Sequence, residues 1–455
     1  MNEIQVRIPA NLVPQLLTEI HRPARREPVV FGLASHANTA TRDLILLREL
    51  VIPPEAAFLP SSGHGARWSG AYNIELLNKA LEKQLGVFIF HAHGRTHDVR
   101  MSGDDLTSAD ALLPRFQLVF PERPHGSIVF GEESVDGVLL MPNASKTTNR
   151  FNVRLIDGHR IHTWPLPNAS VADRLLLQHQ PLTISPLLRA LLRNVVVAVV
   201  GISGGGSQVV AHLAALGIGE IIAIDNQCAD ESNRFATPNL GWLDALLSLR
   251  KVTSAKLRAW LVNRHVKFTA VPFRLPEKSA LEALKRADII IGCVNNLHAR
   301  ADIVELAWRY CIPYIDIGLR IIAKDNAGTD PNPLIAFPGN LFTALPGKAC
   351  LWCTDFLTKA KLDAETGGLG RSYLKDSSDR DVLVSCFNGT LAAEAVAEAL
   401  RLITGMDTRR EHKRQYDGFT GTLLEMSSNR KQNCPRCTAD LAAGNPIWRP
   451  IHQPR

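Results

Sequence analysis
Residues 195–207 read VVVAVVGISGGGS, an apolar run, a glycine-rich turn and then a helix expected to start at Ser207. A run this short and this uniformly apolar is expected to be a strand covered on both faces. The pattern recurs downstream. Strands are expected over Ile221–Asp225, Lys267–Val271, Asp288–Cys293 and Tyr314–Ile317, and helices over Ser254–Asn263, Ala280–Arg286 and Ala299–Tyr310. Strands separated by helices of this length pair in parallel through right-handed crossovers, so this half of the chain is expected to be a doubly wound α/β sheet.

A chain of 455 residues exceeds one ordinary domain, and two or three compact units are expected. Upstream, strand-like runs at Gln5–Ile8, Val29–Ala34, Leu44–Ile52 and Val87–His91 alternate with helical ones at Leu12–His21, Asn73–Gln84 and Leu106–Leu113. Residues 143–170 lose this periodicity and carry polar residues and prolines, which places a linker there. Two amphipathic stretches follow, Ala172–Gln178 and Pro186–Arg193. The expected organisation is a first α/β domain over 1–145, linker and leading helices over 146–194, and the doubly wound domain over 195–445.

A hydrophobic content of 45% with 21% charged residues is that of a globular chain, not a disordered one. The net charge of +7 is spread out, with only small clusters at Arg22–Arg26 and Arg409–Arg414, so a solvated basic surface is expected in preference to nucleic-acid binding. Met1–Val13 lacks the basic start and apolar core of a secretion signal, and no apolar run is long enough to span a bilayer. Four of the eight cysteines form two Cys-x-x-Cys pairs, which favours metal ligation in a reducing compartment over disulfides. A cytoplasmic protein without a membrane partner is expected.

Residues 91–105 read HAHGRTHDVRMSGDD. His91 and His93 stand at i and i+2 at the end of an apolar strand, so their side chains leave the same face. Two imidazoles and a carboxylate, here Asp105, make a three-ligand zinc site with a fourth position open to water. Hydrolysis also needs a base and an oxyanion donor; Glu27, just before the strand Pro28–Leu33, is the candidate base and Ser102 the candidate donor. His97 is expected to face solvent. The order of a strand-associated Glu, His-x-His and, after eight intervening residues, Ser-x-x-Asp resembles the JAB/JAMM zinc isopeptidases over roughly residues 1–140. Gly94 stands where many members carry proline.

In the second half, the glycines of Gly201-Ile-Ser-Gly-Gly-Gly-Ser207 (Gly201, Gly204 and Gly206 among them) allow backbone to approach phosphates at a helix N-terminus. A dinucleotide site opens the same way, and Asp225 would bind a ribose in either case; Ser203 at the middle glycine of G-x-G-x-x-G counts against a nicotinamide cofactor. Beyond it come Glu231-Ser-Asn-Arg234, Lys256, Gly292-Cys-Val-Asn-Asn296 and Ile312-Pro-Tyr-Ile-Asp-Ile-Gly318. This ordered set resembles the ThiF/MoeB-type and ubiquitin-activating enzymes, from about 174 to 440. The resemblance implies a Rossmann-like domain that binds ATP and Mg2+, with Asp225 on the ribose, Asn233, Arg234 and Lys256 on the phosphates, and Asn295 where the family has a magnesium-binding aspartate. It also implies a homodimer, to which Arg174 would lend an arginine. The substrate implied is the C-terminus of a ubiquitin-like β-grasp protein.

Cys350-Leu-Trp-Cys353 and Cys434-Pro-Arg-Cys437 supply four thiolates for a closed structural zinc site. Cys386, flanked by Leu383, Val384 and Phe387, is expected to be buried, and Cys228, Cys293 and Cys311 to be strand-end or core residues. No cysteine lies in 361–380, where related enzymes carry a thioester cysteine, so direct transfer from the adenylate to a conjugating enzyme is expected. The combined expectation is a processing and activating protein of a bacterial ubiquitin-like conjugation system, with antiphage defence as one setting. The alternatives are sulfur-carrier activation in cofactor or cysteine synthesis, and a scaffold with a degraded adenylation site.

Overall fold
The computed structural model describes residues 2–23, 27–60, 66–94, 97–166, 185–320, 322–323, 334–366, 385–406 and 411–445. These form two compact units. The first is built on residues up to Leu166, the second on those from Ser185 to Thr438; Arg309–Cys311 and the residues from Ala439 group with the first.

The first unit comprises strands β1 (Glu3–Ile8), β2 (Val30–Asn38), β3 (Arg42–Val51), β4 (Gly86–Ala92), β5 (His125–Phe130), β6 (Val135–Leu140), β7 (Asn152–Ile156) and β8 (Ile161–Trp164). Its helices are α1 (Val13–Ile20), α2 (Gly70–Lys83) and α3 (Gly103–Val119). The strands form one sheet in the order β6-β5-β4-β2-β3-β1-β7-β8. Strand alternation divides the core between the two faces. Val30, Ala34, Phe88 and Phe90 pack with Leu16 and Ile20 of α1, whereas Phe31, Leu33, Val87 and Ile89 pack with Leu76 of α2 and Leu113 of α3.

In the second unit the strands are β9 (Val196–Val200), β10 (Glu220–Ile224), β11 (Lys267–Val271), β12 (Ile289–Gly292), β13 (Tyr314–Leu319), β14 (Ile322–Ala323), β15 (Leu334–Ala336), β16 (Pro338–Ala344), β17 (Lys413–Asp417) and β18 (Thr422–Met426). Helices α4 (Pro186–Arg193), α5 (Gly204–Leu216), α6 (Glu231–Arg234), α7 (Trp242–Leu246), α8 (Lys251–Val262), α9 (Lys278–Lys285) and α10 (Leu297–Arg309) alternate with the parallel strands. They are followed by α11 (Lys359–Thr366), α12 (Ser385–Thr404) and α13 (Pro435–Ala439). The main sheet runs β11-β10-β9-β12-β13-β16-β17-β18. Its first five strands are parallel, and β16 to β18 extend it antiparallel. Every residue of β10 is buried, as a central parallel strand covered on both faces requires.

The expected α/β alternation is present in both halves, with two corrections. Residues 146–166 are not linker: β7 pairs in parallel with β1 and β8 pairs with β7. These strands are short and carry Asn152, Arg154 and His162 between apolar residues, a pattern too brief to stand out from a polar segment. Helix α5 begins at Gly204, not Ser207, so the glycine run forms its first turn. Ala172–Gln178 and Arg174 lie outside the described residues. Among the described residues no helix is long and apolar enough to cross a membrane.

Candidate functional site
Two clefts gather the candidate residues, one in each unit. In the first, alternation along β4 puts His91 on the same side as Val87 and Ile89, the side covered by α3, and His93 follows just past the strand end. Antiparallel pairing of Val30 with Phe90 brings the start of β2 beside the end of β4, which carries Glu27 to the level of His93. Asp105 enters from the first turn of α3.

One ligand atom from each of Glu27, His91, His93 and Asp105 lies within 4.8 Å of the others. Asp105 approaches both imidazole Nε2 atoms, at 3.2 Å from His91 and 3.1 Å from His93, and Glu27 stands 3.3 Å from His93 and 4.0 Å from His91. His93 Nδ1 donates to the Arg100 carbonyl at 3.0 Å, which leaves Nε2 as the ligand nitrogen. His91 Nε2 is buried and makes no well-formed hydrogen bond. Two imidazole Nε2 atoms converging on one carboxylate, with a second carboxylate beside them, fit a divalent zinc ion.

Burial raises the Asp105 carboxyl, but His91 and the Ser102 hydroxyl and N–H outweigh it and hold Asp105 well below the usual carboxylate range. Burial raises Glu27, the imidazoles pull it back and Asp105 adds to the rise, so it stays above its ordinary value. The cleft, about 720 Å³, is lined by these residues together with Val29, Trp68 and Leu112.

Ser102 has a local role at the start of α3. It is the N-cap of α3 in a capping box: its Oγ accepts the Asp105 N–H at 3.1 Å and donates to Asp105 Oδ2 at 2.8 Å. A hydroxyl has one proton to give, and here it goes to Asp105, so Ser102 orients the Asp105 carboxylate. His97 is exposed, 3.7 Å from Glu133, and outside the cluster.

In the second unit the strand order reverses at β9, with β10 on one side and β12 on the other. Ligands of open α/β sheets bind at the carboxyl ends of strands beside such a switch point. A cavity of about 440 Å³ lies there, lined by Gly201, Ser203, Asp225, Gln227, Arg274, Asn295 and neighbouring residues. Two glycines are required by the turn. Gly201 has φ +86°, and a Cβ on Gly206 would overlap the Gly201 carbonyl oxygen. Gly204 is less constrained, its nearest neighbour the Ala236 carbonyl oxygen at 3.0 Å. Asp225 clamps the turn, accepting the Ile202 N–H at 2.7 Å and the Gln227 N–H at 2.8 Å.

The expected phosphate residues are not all at the cavity. Lys256 is exposed on α8 and does not line it. The lysine that opens α8 is Lys251, 2% exposed, whose Nζ donates to Gln227 Oε1 at 2.7 Å. Arg234 is bound to Glu231, 2.9 Å from Nε and 2.5 Å from Nη2, and lies over the Phe235 ring. Asn233 belongs to α6; its side chain lies outside the described set. Asn295 is exposed at the cavity mouth, and Arg274 is a cavity cation that the sequence did not single out.

The four paired cysteines converge. Their sulfurs are 3.8 Å apart for Cys350–Cys353, 3.7 Å for Cys350–Cys434, 3.5 Å for Cys353–Cys437 and 3.3 Å for Cys437–Cys350. Four sulfurs each about 2.3 Å from a tetrahedral zinc would be about 3.8 Å apart, so this buried quartet fits that ion. Cys311 is buried as expected and Cys293 is half-buried, but Cys228 and Cys386 are exposed. Cys386 is the second residue of α12, and the helix turns it about 100° away from Phe387, whose ring packs at a tilt on Phe337 with centroids 4.6 Å apart.

The "Adenylyltransferase and sulfurtransferase UBA4" of Kluyveromyces lactis is 28% identical over 256 residues, covering 54% of this chain and 51% of that protein. The "Sulfur carrier protein ThiS adenylyltransferase" of Escherichia coli K12 is 21% identical over 251 residues, 53% of this chain and 85% of the relative. The crystal structure of E. coli MccB superposes with a TM-score of 0.44 at 19% identity, covering 63% of this chain and 75% of MccB. The chain spans about half the length of the first curated relatives it matches. The sequence model of the ThiF family matches residues 178–437, more than half of the chain and nearly all of the second unit. This chain therefore belongs to the ThiF family.

Proposed function
We propose that the second unit transfers AMP from ATP to the C-terminal carboxylate of a small β-grasp carrier protein. A carboxylate oxygen forms a bond to the α-phosphorus, the bond to the bridging oxygen breaks, and pyrophosphate leaves with the electron pair. The observation that carries this reading is the switch-point cavity with a glycine turn at β9 and Lys251 held at its edge. Glycine-turn N–H groups and a buried ammonium offset charge that grows on the leaving pyrophosphate. Mg2+ would enter with the nucleotide, and Asn295, exposed at the mouth, can offer it a neutral oxygen.

The names of the relatives favour a sulfur carrier as the substrate. The expected conjugating enzyme and antiphage setting draw no such support, so carrier activation is the better reading. The test is ATP–pyrophosphate exchange by the full chain with a panel of β-grasp carriers. Exchange that appears only with a carrier ending in a free carboxylate supports the proposal; no exchange with any carrier counts against it.

A second activity is supported by the quartet Glu27, His91, His93 and Asp105. We propose that the first unit is a zinc hydrolase that cleaves the bond after such a carrier's C-terminus. When bound, zinc supplies Lewis acidity and acidifies a water from about 15.7 towards about 7. His91, His93 and Asp105 would hold it, Ser102 would keep Asp105 oriented, and Glu27, with its raised pKa, would accept and return a proton. Cleavage frees the same carboxylate that adenylation consumes, which gives the two activities a common substrate end.

The homodimer is also a proposal, supported by exposed apolar residues on α7, α8 and the residues around them: Phe235, Trp242, Leu246, Leu247, Trp260 and Leu261. Apolar surface concentrated on adjacent helices marks an association site. Sedimentation of the wild type should give twice the chain mass, and Leu247→Glu with Trp260→Glu should halve it. A monomeric wild type would remove the dimer from this reading.

A further inference from the structure
Two carboxylates line the nucleotide cavity, and they are placed differently. Asp225 commits both oxygens to the backbone N–H groups of Ile202 and Gln227. Asp302 lies on α10, where His298, Ala299 and Asp302 share one helical face and together line the cavity. It is 1% exposed, and its Oδ1 has no hydrogen-bond partner among the described residues. A buried acceptor left without a donor is costly, and in a ligand cavity it is a position that a ligand group can satisfy.

We infer that Asp302 is the base-reading residue of this cavity, accepting a hydrogen bond from the 6-amino group of adenine. The inference rests on the proposal that the cavity takes ATP. Depth separates this role from magnesium binding. Asn295 and Asn296 are exposed lining residues, whereas Asp302 lines the cavity from a buried position. Magnesium keeps several waters and belongs with the phosphates at the glycine turn, while a heterocycle sits against buried groups, a few of which are polar and fix its orientation. The exocyclic amine is the hydrogen-bond donor on adenine's edge, and the free Oδ1 is an acceptor. Burial and nearby Glu305 push the Asp302 carboxyl up to about 7, against the pull of Arg436. Its oxygen accepts in either protonation state. Glu305 is 3.5 Å from Arg436 Nη1, so the arginine next to Asp302 already serves another carboxylate.

The test is calorimetric binding to the full chain of ATP and of purine riboside triphosphate, which lacks the 6-amino group. The wild type should bind ATP about tenfold more tightly, the size of one hydrogen bond to a charged group. Asp302→Ala should lose that preference, and Asp302→Asn, which keeps an acceptor oxygen, should retain most of it. Equal binding of the two nucleotides by the wild type would overturn the inference while leaving the nucleotide site intact, and so would an undiminished preference in Asp302→Ala. Failure of the wild type to bind either nucleotide would overturn the nucleotide reading itself, and this role with it. The comparison of two ligands on the wild-type chain needs no variant to fold.

Discussion

Replacing His91 with alanine is expected to remove one of two zinc ions per chain and to reduce cleavage of a carrier fused at its C-terminus by at least about a thousandfold. ATP–pyrophosphate exchange should stay at the wild-type rate, because no residue of the quartet lines the nucleotide cavity. The effect is expected to be large because His91 is the buried member of the quartet. Its Nε2 has no well-formed hydrogen bond, so removing it leaves Asp105 facing a single imidazole. Glu27→Gln separates the two roles in the cleft: it should keep both zinc ions and still lose cleavage, since the amide cannot take a proton. Cys437→Ser should remove the other zinc ion, that of the sulfur quartet. Metal analysis that finds two zinc ions in His91→Ala would sink the metal assignment, and cleavage by zinc-loaded Glu27→Gln would sink the base.

The second large effect is expected at Lys251. Alanine there should lower pyrophosphate exchange about a hundredfold, about 2.7 kcal/mol of barrier, while Lys256→Ala should stay within about twofold of wild type. Lys251 is buried, and its ammonium is bonded to Gln227, a residue that lines the cavity. Lys256 projects into solvent one helical turn further along α8. The reverse order of effects would mean that the phosphates run along α8 and not over the glycine turn.

Lys251, and not Lys256, is bonded to a cavity residue, and the sequence hides it for a definite reason. The periodic apolar positions of α8 become visible only from Ser254 onward, so the sequence places the start of the helix there, later than Lys251. Its true start, Arg250-Lys251, is polar, and lysine is a residue type rarely fully buried. Cys386 misled in a related way. Leu383, Val384 and Phe387 made an apolar neighbourhood in sequence, but in a helix adjacent residues point in different directions, and Cys386 is exposed. Ser102 was recognised by its spacing from Asp105, and that spacing is also the signature of an N-cap. Strands β7 and β8 escaped notice because four or five residues hold too few alternations to register.

Some features are written in local order alone. His91 and His93 share a face because strand side chains alternate, and this holds wherever the strand lies. The apolar runs flanked by helices require a parallel sheet, and the Cys-x-x-Cys pairs require thiols presented together. Tertiary structure decided the rest through contacts between residues distant in the chain. Glu27 meets His93 only because β2 runs antiparallel to β4 in one register. Cys350 meets Cys434 across 84 residues, and Asp302 lines one cavity with Gly201 and Asp225 only because the sheet order reverses at β9. Periodicity fixes which way a side chain points from its own element, whereas strand register and helix packing fix what stands opposite it. Those are set by closing the whole core at once.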